Sequence, residues 1–215
     1  MTKLQRRGRR GCLLGGLALL SACASSAEVA RPPQDQARVA RVRLEDAASQ
    51  GPVLLEVHGN AFGQSETARN AGLVENLSKG VRYYSVAFTT DPAQVADKRL
   101  RTVAVLNPLV ALGSQEVCNG NAVGDRAIAP GRVDLLLVSC DETRPLASAR
   151  GSTEATGPDD DRYARLIWQT ADALYPDDYD NRYGFGWFPG VNIGAGVGVG
   201  SGGGTRTGVG VGLGF

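Results

Sequence analysis

Along residues 36 to 176 the apolar positions recur with two periods, one helical and one alternating, and the switches between them predict the elements. Gln36 to Gln50 carries good helix formers with Val39, Val42, Leu44 and Ala47 as an apolar stripe, and Gly51-Pro52 stops it. Val53 to His58 is an apolar run with the look of a core strand, ending in the turn chemistry of His58-Gly59-Asn60. Ser65 can cap a helix from Glu66 to Lys79 whose buried side is Ala68, Ala71, Leu73, Val74 and Leu77, with Gly80 as a C-terminal stop. Val81 to Thr89 alternates as a strand, and Asp91-Pro92 turns the chain. Leu100 to Leu106 reads as a strand ended by Asn107-Pro108, and Leu109 to Val117 as an edge strand after it. Val133 to Ser139 is the most apolar segment, so it belongs at the centre of a sheet with both faces covered. Leu146 to Thr153 is a further strand. Asp159, Asp160 and Asp161 then place negative charge at the start of a helix from Arg162 to Tyr175, whose inward stripe is Tyr163, Leu166, Ile167, Thr170, Ala171 and Leu174. Residues 51–176 are long enough for a single core. The expected class is α+β in two layers, a mainly antiparallel sheet with about two packed helices.

The tail, 177–215, changes character twice. Tyr179, Tyr183, Phe185, Trp187 and Phe188 are interleaved with Asp177, Asp178 and Asp180. Packing back on the domain is the simplest expectation; Trp and Tyr also suit a membrane interface. The aspartates lack the Gly and Glu positions of a calcium loop. Ile193 to Phe215 then alternates glycine with apolar residues around Ser201-Gly202-Gly203-Gly204-Thr205. With the three glycines as loop, Val197 would oppose Val209, Ala195 would oppose Val211 and Ile193 would oppose Leu213, all on one face. This predicts a Gly-rich C-terminal β-hairpin, or a flexible tail that orders on contact. An isolated hairpin is marginal. The domain, another copy of the chain, or lipid would have to cover its apolar face.

The first residues carry an export pattern. Lys3, Arg6, Arg7, Arg9 and Arg10 form a basic start, and Gly11 to Leu20 a short apolar run, well under the roughly 20 residues of a spanning helix. Leu20-Ser21-Ala22-Cys23 follows. These four residues resemble, position by position, the lipobox of bacterial lipoproteins. The resemblance implies a signal peptide over 1–22, cleavage between Ala22 and Cys23, and diacylglycerol transfer to the Cys23 thiol, with a third acyl chain, of the palmitate kind, on the new amino terminus. Two or more chains hold a protein stably on a bilayer. Ala24 after the cysteine, rather than Asp, implies by the same resemblance the outer rather than the inner membrane. Arg9-Arg10-Gly11-Cys12-Leu13-Leu14 faintly resembles a twin-arginine signal. Residues 23–50 would be a lipidated tether and a possible short helix.

Charge reads differently once that signal is removed. The whole chain has 23 basic and 22 acidic residues; without the five basic residues of the signal, 18 face 22. A mildly acidic chain offers no footprint for nucleic acid and no polybasic patch for headgroups. Of four cysteines, Cys12 leaves with the signal and Cys23 is the acylated one. Cys118 and Cys140 are expected to form a disulfide in an oxidising compartment. A metal pair is the rival, and a lone His58 without any Cys-x-x-Cys does not favour it.

A Gly-Asn-x-Phe turn (Gly59, Asn60, Phe62), Phe-Thr-Thr-Asp-Pro (Phe88 to Pro92), Asn107-Pro108 after a strand, and the two cysteines together resemble uncharacterised small lipoproteins of Gram-negative envelopes. That resemblance carries no activity. Catalysis would have to use His58 as base, with Ser65 as a nearby hydroxyl, or the carboxylates of Asp159 to Asp161, which at a helix start usually cap. There is no Gly-x-Ser-x-Gly elbow, P-loop or dinucleotide fingerprint, and no cofactor or metal site is expected. The expected role is a non-catalytic binding or structural component of the envelope, anchored at the periplasmic face of the outer membrane. Its partners would be the bilayer through Cys23, and an envelope protein or another copy through Ile193 to Phe215. A periplasmic hydrolase using His58, or a tail-driven oligomeric outer-membrane assembly, are the alternatives.

Overall fold

The computed structural model describes residues 27–127 and 129–177, and the backbone of 191–199 and 205–213. The expectations for Ala22, Cys23 and the aromatic segment beyond Asp177 lie outside the described residues. The fold is α+β. Its six-stranded sheet runs β1 (Glu28–Ala30), β6 (Arg144–Glu154), β5 (Arg132–Asp141), β4 (Leu100–Leu106), β2 (Val53–His58), β3 (Phe88–Thr89) from edge to edge. Three pairings are antiparallel, β1 with β6, β6 with β5 and β5 with β4; β2 runs parallel to both β4 and β3. The most apolar segment sits in the middle of the sheet, as its sequence demands.

Strand alternation sorts the core into two unequal halves. On one face Leu100, Ala104, Leu106, Leu135, Leu137 and Ala149 meet α1 (Gln34–Gln50), α2 (Glu66–Gly80) and α4 (Asp161–Leu174). On the other, Val103, Val105, Leu136 and Val138 meet the short α3 (Ser114–Cys118) and Leu112. Elements before residue 51 therefore belong to the same packed body: Ala40 and Leu44 of α1 are fully buried.

The helices differ from expectation in which side they bury. In α1 the buried residues are Ala37, Ala40, Leu44 and Ala47, whereas Val39 and Val42 are about half exposed, at 50% and 51%. Alanines let the helix sit close to the sheet, and the larger valines face away. In α2 only Leu73, Leu77 and Gly80 are fully buried; Ala68 and Ala71 are exposed. Ser65 caps it as expected, its Oγ accepting from the Ala68 N–H at 3.3 Å. Gly80 is not a left-handed stop. It is the last residue of α2, and a Cβ there would come within 2.7 Å of Ala171 Cβ and 3.0 Å of Trp168 Cα on α4. Asp160 is the cap of α4: its carboxylate accepts from the Arg162 N–H at 3.0 Å and from the Arg162 guanidinium, and these bonds hold its pKa well below the usual carboxylate range.

Two expected strands do not form. Of Val81 to Thr89, only Phe88 and Thr89 pair, with Val53 and Leu54. Val81 and Val86 are buried, but Tyr83 and Tyr84 are exposed, so the alternation is that of a coil touching the core at two points. The segment Leu109 to Val117 is not an edge strand: from Ser114 it is helical, and the Gly113 N–H that opens the helix donates to Glu116 Oε2 at 2.9 Å.

Near the C-terminus, β7 (Val191–Val199) and β8 (Thr205–Leu213) form a separate two-stranded antiparallel sheet. Its register departs from expectation by two residues: Val197 pairs with Thr207, Ala195 with Val209 and Ile193 with Val211. A period-two pattern fixes which residues share a face but repeats under an even shift, so it does not choose among even registers.

Candidate functional site

The second face of the sheet is only partly roofed, and what it leaves open is polar. Alternation places Glu56 and His58 of β2, Arg101 of β4, Arg132 and Asp134 of β5, and Arg150 and Ser152 of β6 on this side. The roof is α3 with the loop before it, held by a covalent staple. Cys118 Sγ and Cys140 Sγ are bonded, with Cα atoms 5.6 Å apart, and both residues are buried. The disulfide expected from the cysteine arithmetic is therefore present, joining α3 to the end of β5.

Arg101 locks the same corner. Its guanidinium donates to the Cys118 carbonyl at 2.6 Å and to the Glu142 carbonyl at 2.8 Å, and pairs with Glu56 at 3.2 Å. Behind it Asp141, 8% exposed, draws Arg43, Arg99 and Arg144 to within 3.6, 3.5 and 3.3 Å. Burial works against the charge on Arg43, but the hydrogen bond to Asp97 and the carboxylates of Asp141 and Asp46 outweigh it, so its pKa lies above the ordinary value.

At the opposite end Asp134 receives Arg126 at 2.7 Å and Arg132 at 3.0 Å, and Arg132 continues to Ser152 Oγ at 3.0 Å. Arg150 donates to the Leu112 carbonyl at 3.2 Å, tying β6 to the roof. A shallow cleft of about 290 Å³ opens here against β1, with Glu28, Arg132, Asp134, Arg150 and Ser152 in its lining. Its charges are mixed: Arg132 and Asp134 pair with one another, and Arg150 is held by the Leu112 carbonyl, which suits a surface that makes polar contacts.

The catalytic candidates are not brought together. Ser65 Oγ is committed to the α2 cap, and Asp160 to the α4 cap. His58 ends β2 beside the tight turn at Gly59, whose φ is +82°. The Asn60 N–H and the Asp125 carboxylate close that turn by a hydrogen bond, and Arg69 donates to the Gly59 carbonyl at 2.8 Å. Among the described residues no cluster of three or more His, Cys, Asp or Glu is placed to hold a metal ion. Among them, too, no helix is long and apolar enough to cross a membrane. What sequence reasoning missed is the arginine framework around Asp141 and Asp134. These ion pairs join residues up to about a hundred positions apart, and only the strand order brings them together.

The class that fold and surface define is a mixed-sheet α+β domain with one helical face and one disulfide-stapled polar face. No protein-family model matches the chain, and no curated protein matches it. Among solved structures, the dodecamer of a PelC point variant from Paraburkholderia phytofirmans is similar over 70% of this chain and 96% of that chain, at 12% identity and a TM-score of 0.36. A likeness at that level carries no conclusion about function.

Proposed function

We propose that this chain is a lipid-anchored envelope protein, held by acyl chains on Cys23 at the periplasmic face of the outer membrane, and that it acts there as a non-catalytic binding or structural component. The observation that carries the reading is Leu20-Ser21-Ala22-Cys23 directly after a basic start and a short apolar run. The Cys118–Cys140 disulfide supports it, because such bonds persist in oxidising compartments and are rare in reducing ones. The polar, internally paired second face supports a surface that meets other envelope components, with the tail from Ile193 as a further contact element.

Mass spectrometry of the amino-terminal peptide from membranes tests the anchor. The expected product begins at Cys23 and carries the mass of diacylglycerol and an amide-linked acyl chain. A Cys23→Ser variant should leave the membrane fraction. An unmodified Cys23 in a chain still bound to membranes would overturn the reading.

A further inference from the structure

One turn of the packed body is built against the usual chemistry of turns. The Leu112 N–H donates to the Leu109 carbonyl at 3.1 Å, which closes a turn with Val110 and Ala111 at its tip. Turns favour Gly, Asn, Asp, Ser and Pro; this one reads Leu-Val-Ala. Leu109 is 44% exposed and Val110 73%, the highest among the large apolar side chains of the described residues. The base of the turn is fixed. Leu112 packs into the smaller core with its carbonyl on Arg150, and the Pro108 carbonyl accepts from Arg126. A further apolar side chain, Val123 at 49%, lies on the neighbouring loop, which the Asp125 N–H joins to the Leu106 carbonyl. Folding gains nothing from leaving these side chains in water, and exposed apolar groups that lie together mark contact sites.

The sheet register relates this tip to the amino-terminal side of the chain. Glu28 lies opposite Ser152, Ser152 lies opposite Asp134, and Asp134 exchanges hydrogen bonds with Asn107. One row therefore runs from the first residue of β1 to the residue that opens the turn, three strand spacings or about 14 Å across. The exposed valines of α1 belong to the other end: Arg43, next to Val42, comes within 3.6 Å of Asp141, the last residue of β5. The chain thus enters the sheet at the end that carries Leu109, Val110 and Val123. Position 23 is within about 17 Å of Glu28 at full extension.

We propose that the turn at Leu109 and Val110, with Val123 beside it, is a membrane-docking finger that enters the headgroup boundary of the bilayer. The inference deepens the anchoring reading and rests on it, since acyl chains on Cys23 bring the bilayer to this end of the sheet. Held there, the finger needs little affinity of its own, because its insertion is an intramolecular step. Entry is shallow, since irregular backbone is not tolerated in hydrocarbon. Apolar burial drives it rather than charge: Arg126 and Arg132 at this end both pair with Asp134. Docking is therefore insensitive to salt and to anionic lipid. It fixes the tilt of the domain on the membrane, which a tether alone leaves free.

The test uses the full acylated chain in phosphatidylcholine vesicles, with and without phosphatidylglycerol. A polarity-sensitive fluorophore is placed on one introduced thiol, in Val110→Cys, Val123→Cys or Val42→Cys. Val42 is the control, as exposed as Val123 and at the far end. The expected result is blue-shifted emission at 110 and 123, quenched by nitroxide-labelled lipid, with water-like emission at 42. High salt and phosphatidylglycerol should leave the pattern unchanged. Adding Val110→Asp should abolish the shift at 123, while the protein stays vesicle-bound through its acyl chains and its melting temperature holds. Water-like emission at 110, or equal lipid quenching at 110 and 42, would overturn the proposal. So would a blue shift at 110 without lipid quenching, the signature of a tip covered by protein such as a second copy. The mass of the amino-terminal peptide is read on the same sample. An unacylated Cys23 removes the anchoring reading and the finger with it; an acylated chain with a hydrated tip removes the finger alone.

Discussion

Position 80 shows how a single missing carbon sets a packing distance. Because Gly80 has no Cβ, the end of α2 lies directly against Trp168 and Ala171 of α4. Gly80→Ala would force backbone apart, and an overpacked contact of this kind costs about 1–3 kcal/mol; urea unfolding of the variant measures it. In sequence this glycine has the right place for a helix stop, and nothing local reveals that its role is a contact made across the chain. The same limit applies to α1, where local pattern favours Val39 and Val42 but the sheet selects the alanine side. Tyr163 is legible as core, and its burial has a consequence for pH. Burial raises its phenol pKa above the usual value, so the folded chain keeps a proton that the unfolded chain loses above about pH 10. The unfolded state is then the one stabilised by deprotonation, and stability falls as pH climbs past that point. Tyr163→Phe should make the alkaline decline shallower, as read from melting temperatures between neutral pH and about pH 11. The edge-on contact of its ring with Phe62, 5.0 Å between centroids, should survive the change.

Among elements, those with strong periodicity are readable: the strand Leu100–Leu106 and the helix α4 lie within a residue of expectation. The failures cluster where tertiary contacts decide. Residues 81–87 alternate as a strand does, yet β2 reaches only the end of the segment, pairing with Phe88 and Thr89 and donating from the Val53 N–H to the Ala87 carbonyl. The α3 segment is too short to declare itself by period. Its start signal, a glycine followed three residues later by glutamate, is masked by the apolar run before it. What holds α3 in place is the link from Cys118 to Cys140, 22 positions apart. Cross-linking a loop of that size contributes roughly 3 kcal/mol in the chain-entropy picture. Reduction should lower stability by about that amount, and it should release amide protection in residues 114–118 before the rest of the sheet exchanges, as hydrogen exchange would record.

For the whole molecule, sequence indicates the class and the central strand but not the strand order. Parallel pairing of β2 with β4 and the docking of β1 beside β6 are long-range choices with little local signature. Residues 28–30 lie in a stretch that reads as a tether because it is small and polar, and a three-residue edge strand has no period to show. Its placement bears directly on the proposed anchor. Only five peptide steps separate Cys23 from Glu28, a reach of about 17 Å at full extension, close to the ~15 Å radius of gyration expected for a domain of this size. An anchor at Cys23, as proposed, would be so short a line that the domain could not roam the space beneath the membrane. With the anchor as proposed, the protein would ride with the β1 margin of its sheet turned toward the lipid, its far rim left to greet whatever approaches.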